Sequence, residues 1–201
     1  MQKNSVKTSR REGYSEATRR ALLKAARRSF TAQGYAAASL DAIAGKAGVT
    51  KGALYHHFID NRALFDAVVA SLQAEMTEVV DAEVSGERDR WQRLKRGIAA
   101  FLDACGETAY RRLVIHEAPA VLGMERFREI DDAALSSFHR AIASLQQRGD
   151  IDFANATLLT RLLAALVWET AMLLAEAQEP QRLRAQALEA IYRVVDAFRK
   201  T

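Results

Sequence analysis

Residues 39–58, SLDAIAGKAGVTKGALYHHF, restrict the fold more than any other stretch of the chain. Ser39 offers a hydroxyl to cap a short helix whose apolar positions Leu40, Ile43, Ala44 and Ala47 share one face. Gly48 ends that helix, because glycine takes left-handed backbone without steric cost. Val49 then turns inward, and the Thr50 hydroxyl caps a second helix. Ala53, Leu54 and Phe58 anchor the second helix, leaving Lys51, Gly52, Tyr55, His56 and His57 for the outside. Two short helices joined by so tight a turn read as a helix-turn-helix, whose second helix lies in the major groove of DNA.

The charge distribution fits that reading. Residues 1–63 hold 12 Lys/Arg against 4 Asp/Glu, a net +8, while residues 64–201 hold 17 against 21, a net −4. The positive excess therefore accompanies the helix-turn-helix, as phosphate binding requires. Two prolines, few β-branched runs and abundant Ala, Leu, Arg and Glu predict an all-α protein of about nine helices. The single cysteine, Cys105, excludes an intrachain disulfide and suits a reducing cytoplasm. The polar, basic start has no signal-peptide pattern. No stretch is expected to cross a membrane, since the most apolar one, Leu158 to Ala175, is interrupted by Arg161 and Glu169.

Along the chain, residues 1–14 with Lys3, Lys7, Arg10 and Arg11 read as a flexible basic arm able to follow the DNA backbone or enter the minor groove. A first helix runs from a Ser15 cap to Gly34, with Leu22, Ala26 and Phe30 inward. Asp60 caps a long fourth helix reaching Val84. A fifth ends at Gly106, a sixth covers Glu107 to Glu117 before Pro119, and a seventh carries Phe127 to Leu145 and ends at Gly149. The eighth, from Asn155 to Ala177, is apolar around most of its circumference, so it must be buried on more than one side. Pro180 opens a ninth, striped by Leu183, Leu188, Ile191, Val194, Val195 and Phe198. Spare apolar surface on these last two helices, residues 155–199, predicts a four-helix homodimer interface; the alternative is that both complete a monomeric core.

The series Ser39, Ile43, Ala44, Ala47, Gly48, Val49, Gly52, Leu54, Tyr55, His57, Phe58 and Leu64 resembles the N-terminal signature of TetR-family transcriptional repressors. Serine stands at 39 where threonine is common, and Asn61 where the family usually has a lysine; Arg62 is the candidate substitute for that phosphate contact. Residues 112–130 are loosely similar to a subset of such regulators. The resemblance implies a DNA-binding domain over 15–60 and a helical effector-binding and dimerisation domain over 61–201. It also implies a dimer on a palindromic double-stranded operator, release by a small, mostly apolar effector, and a cytoplasmic protein associated with the bacterial nucleoid. Ser39, Thr50, Lys51, Tyr55 and His57 are its backbone-contacting candidates. Base reading falls to Lys51, Gly52, Ala53 and His56: lysine suits guanine O6 or N7, alanine a thymine methyl, and glycine a close approach. Tyr110, His116, Glu117 and Trp168 place polar atoms on apolar stretches and are the effector candidates. No cofactor or metal is implied; adjacent His56 and His57 diverge on a helix. An enzyme built on His116 with Glu117, or on His139 with Asp131 and Asp132, lacks a nucleophile or phosphate loop at recognisable spacing. A regulator without an effector, or an activator, are the remaining alternatives.

Overall fold

The structure, a computed structural model, describes residues 3–200. It is all-α. The helices are α1 (Lys3–Gln33), α2 (Leu40–Ala47), α3 (Lys51–His57), α4 (Asn61–Val84), α5 (Arg90–Cys105), α6 (Ala118–Leu122), α7 (Met124–Ala134), α8 (Ser136–Gln147), α9 (Ala156–Glu176) and α10 (Pro180–Asp196), with a π-helical turn over Tyr110–Glu117. Among the described residues the only β pairing is one antiparallel bridge, Ile151 to Arg199.

Compactness divides the chain after Ser71, Arg111 and Met124. The part before the first division and the part between the second and third form one unit; the remainder forms the other. The first unit therefore takes in the opening turns of α4 and a stretch from far along the chain, where a single cut near residue 60 was expected. Its core is Leu22, Ala26, Phe30, Ile43, Leu54, Leu64 and Phe65, joined by Leu113 and Leu122, all buried. Phe65 meets Phe30 edge-on at 5.2 Å and Tyr35 at 5.1 Å. The second unit packs Trp91, Leu94, Ile98, Ile142, Leu145, Leu159, Leu163 and Ile191. Its chain end is fastened by Asp152 N–H to Phe198 O at 2.9 Å and Lys200 N–H to Asp150 O at 3.0 Å.

Three helix boundaries differ from expectation. Helix α1 begins at Lys3, so Ser15 sits inside it and residues 3–14 are helical instead of a flexible arm; Met1 and Gln2 lie outside the described residues. No proline interrupts Lys3 to Tyr14, and its Lys, Arg and Glu are good helix formers. The expected sixth helix is a π-helical turn followed by α6. Pro119 has no N–H to return to the carbonyl four residues back, so the turn before it widens. The expected seventh helix is two, α7 and α8, divided at Leu135, which precedes the Ser136–Ser137 pair; paired serines are a usual site of helix kinking. The expected caps at Thr50 and Asp60 form, and two more are present: the Asp89 carboxylate accepts from Trp91 N–H at 2.8 Å and the Asn155 amide oxygen from Leu158 N–H at 2.9 Å.

By length, and by a mean hydropathy of 1.6 over its most apolar 18 residues, α9 is a helix that could cross a bilayer, which corrects the expectation drawn from Arg161 and Glu169. Those two charges do not cancel the ten large apolar side chains around them.

Candidate DNA interface

Helices α2 and α3 are built as their residues dictate. Gly48 takes φ +69°, the left-handed conformation that stops α2. Thr50 Oγ1 accepts from Ala53 N–H at 3.2 Å and starts α3. Ser39 occupies the capping position of α2 in extended backbone, but its hydroxyl makes no capping hydrogen bond, against expectation. In the loop before α2, the Tyr35 N–H donates at 2.8 Å to Oε2 of Glu117, 82 residues further along the chain. Arg112 binds Glu117 Oε1 at 3.2 Å and Thr31 O, at the end of α1, at 2.7 Å. Gly34 takes φ +84°, a left-handed backbone that strains any residue with a Cβ, and the Arg112 guanidinium lies close against it.

Helix α3 turns Leu54 inward and leaves Lys51, Gly52, Tyr55 and His56 exposed, with Ala53 and His57 half-buried. Seven of the eight expected DNA-contacting residues thus lie on α3 or its cap, and Ser39 lies at the start of α2. The His56 and His57 rings meet edge-on, 5.4 Å apart. Lys51 is not a free cation. Its Nζ lies 2.9 Å from both carboxylate oxygens of Asp41, and 5.9 Å from the centre of the Tyr55 ring. The Asp41 hydrogen bond and charge raise the Lys51 pKa further above its ordinary value. Sequence reading passed over Asp41, because ten residues and a turn separate it from its partner and no helical periodicity links them.

Arg62, the candidate substitute for the family's lysine, donates from its guanidinium to Leu122 O, at the end of α6, at 2.7 Å. Asn61 directs its amide nitrogen to Ala38 O at 3.4 Å, toward the loop before α2. Both side chains are used in holding the head together.

The four effector candidates are divided between the two units. His116 and Glu117 belong to the first unit, His116 exposed and Glu117 committed to Tyr35 and Arg112. Tyr110 and Trp168 belong to the second. Tyr110 is buried and donates its hydroxyl to Gln73 Oε1 at 2.6 Å, and burial holds its pKa well above the ordinary value. Gln73 is buried as well, and its Nε2 has no partner. Trp168 packs on Phe127 with ring centres 5.4 Å apart. Asp131, half-buried in the same unit, has its pKa raised by burial, opposed by the Arg161 charge and aided by Asp132. Gln73 was missed because it interrupts a helical apolar stripe without a charge to mark it. No three His, Cys, Asp or Glu residues among those described gather as a metal site.

A basic helix-turn-helix displayed on an all-α chain defines a DNA-binding transcriptional regulator. The family "Bacterial regulatory proteins, tetR family" matches residues 22–68, and "Tetracyclin repressor-like, C-terminal domain" matches residues 91–198. The chain belongs to the TetR family of transcriptional regulators. It is 29% identical over 152 residues to the TetC protein of transposon Tn10 from Escherichia coli, covering 74% of this chain and 75% of that one. A TetR-family transcriptional regulator from Pectobacterium atrosepticum superposes with a TM-score of 0.79 at 31% identity, covering 94% of this chain and 97% of the other. FadR from Bacillus subtilis, solved with stearoyl-CoA, shares the fold at a TM-score of 0.71 and 15% identity, over 87% and 96% of the two chains.

Proposed function

We propose that this regulator is a ligand-responsive repressor: two copies joined through α9 and α10 hold a palindromic operator, and a small, mostly apolar effector in the second unit releases it. The observation that carries the dimer is on α9. Only 33% of its most apolar window is buried within the chain, and Leu158, Leu162, Met172 and Leu173 stand exposed, as does Val194 on α10. The opposite side, Leu159, Leu163 and Val167, is buried in its own unit, and Arg161 is ion-paired with Asp132. A helix seated on its own fold in this way calls for a second protein surface in place of lipid, and a second copy supplies a matching one. Two α3 helices so joined would read half-sites about 34–36 Å apart.

Ser39, Thr50, Tyr55 and His57 are the backbone-contacting residues in this reading, and Lys51, Gly52, Ala53 and His56 face the bases. The effector reading is supported by Gln73 and Tyr110, a buried polar pair with an amide donor left over among apolar neighbours. A ligand oxygen would complete it. Trp168 and Phe127 offer aromatic surface of the same unit. FadR, of the same fold, was solved with an acyl-CoA, which fits an apolar effector class. The site of action is the cytoplasm, at the nucleoid.

The test combines selection from random duplexes with a thermal-shift screen of small apolar molecules. A palindromic consensus, a dimer by sedimentation, and at least one compound that raises Tm and lowers operator affinity are expected. A monomer, a consensus without dyad symmetry, or an empty screen removes the corresponding part.

A further inference from the structure

Asp41 is the one acidic residue on α2 and α3, in the most basic third of the chain. It lies in the first turn of α2, where the helix dipole favours a carboxylate, whereas Lys51 opens α3, where the dipole disfavours a cation. Both oxygens of Asp41 stand 2.9 Å from Lys51 Nζ. The pair is exposed, its side chains 61% and 62% accessible, so it adds little to folding. Its position at the start of the recognition helix gives it a different use.

We propose that Asp41 and Lys51 read one G·C base pair as a unit, making Asp41 a specificity-determining residue for the operator. The inference rests on the reading of α3 as the element that enters the major groove. Guanine O6 and cytosine N4 are hydrogen-bonded to each other, so an acceptor and a donor lie about 2.9 Å apart on the major-groove edge of that pair. The ammonium and carboxylate present the complementary donor and acceptor at the same spacing. Lys51 donates to O6 and the adjacent N7, and Asp41 accepts from the N4 amino group. Read as a couple, neither charge loses its counter-ion when water leaves the groove, which is where an unpaired charge is most costly.

The alternatives are disfavoured by the same geometry. A reversed C·G pair sets the carboxylate against O6. A T·A pair leaves the ammonium one acceptor beside a methyl group and brings adenine N7 next to the carboxylate. On mixed-sequence DNA the pair meets no G·C pair held in register, the carboxylate repels the phosphates, and Lys51, already neutralised, adds little to non-specific attraction.

The experiment compares the full-length protein with Asp41→Ala and Asp41→Asn, on the parent's selected operator, on operators with each half-site G·C pair reversed or replaced in turn, and on mixed-sequence duplex, over a salt series. The parent discriminates at one G·C position per half-site. In Asp41→Ala that discrimination falls about ten- to a hundredfold. Affinity for mixed-sequence DNA rises, and the log–log salt slope steepens by about one per subunit. Asp41→Asn keeps an acceptor oxygen without the charge, so it retains the base preference while its salt slope steepens in the same way. Asp41→Ala with the parent's base preference overturns the proposal whatever its salt slope, as does a parent that binds its operator with no G·C position sensitive to Asp41. A parent that binds no duplex at all refutes the DNA-reading assignment itself, a result distinct from either.

Discussion

Helices α3 and α9 both leave large side chains in water, and for opposite reasons. On α3 the exposed groups are Lys51, Tyr55 and His56, which water solvates well and which can exchange that water for phosphate and base oxygens. On α9 they are Leu158, Leu162 and Leu173, about half accessible each, which gain nothing from water. A polar exposed face is stable alone and binds when a charged partner arrives. An apolar exposed face is stable only when covered. The two helices therefore suit partners of different chemistry, a polyanion for one and an apolar protein surface for the other.

The largest effect expected from breaking that contrast is on α9. Leu162→Glu with Leu173→Glu puts two charges where the second copy would seat, on side chains already exposed, so the subunit should keep its fold. Sedimentation should then report a monomer. Operator affinity should drop at least about a hundredfold, because each half-site is now bound without the effective concentration supplied by its neighbour. A double variant that stays dimeric moves the interface elsewhere.

The corresponding change on α3 is smaller and of another kind. Tyr55 is 46% exposed, with the Lys51 ammonium 5.9 Å from its ring centre. Tyr55→Ala should weaken binding to operator and mixed-sequence duplex alike, by about tenfold, with the ratio between them unchanged, as expected of a backbone contact. A changed ratio in the titrations would make Tyr55 a base reader.

The head was legible in its own residues because each of its features is local. Gly48, Thr50 and Leu54 sit within seven positions and act on each other through one turn, so composition and spacing suffice to place them. What the sequence hid was every device that joins distant residues: Glu117 holding Tyr35, Arg62 holding Leu122, Asp41 holding Lys51. Such contacts leave no period to detect. The same limit explains the effector candidates. His116 and Glu117 were chosen for polar atoms in an apolar run, and Glu117 turns out to serve the α1–α2 loop; Gln73, a buried donor of the second unit that does lack a partner, carries no charge to draw attention. The division of one predicted helix into α7 and α8 was hidden differently, since the apolar stripe continues through the kink and only Ser136 and Ser137 hint at it.

The second unit also holds the inverse of α9's anomaly, a carboxyl where apolar packing would be expected, and it yields the smallest and sharpest prediction. Burial raises the Asp131 pKa above its ordinary value, with Arg161 only partly opposing. The folded chain therefore binds this proton more tightly than the unfolded one, so the group is harmless to stability below the unfolded carboxylate pKa of about 4 and costs stability as pH rises through the folded value. Asp131→Asn removes the ionisation while keeping the shape. Its Tm should exceed the parent's at neutral pH, and the gap should close as the pH is lowered toward about 4. A variant less stable than the parent at neutral pH would mean that the carboxylate, once ionised, is bound by Arg161 firmly enough to repay its burial. The expected result leaves a residue kept at a cost, in the unit that also buries Tyr110 and Gln73.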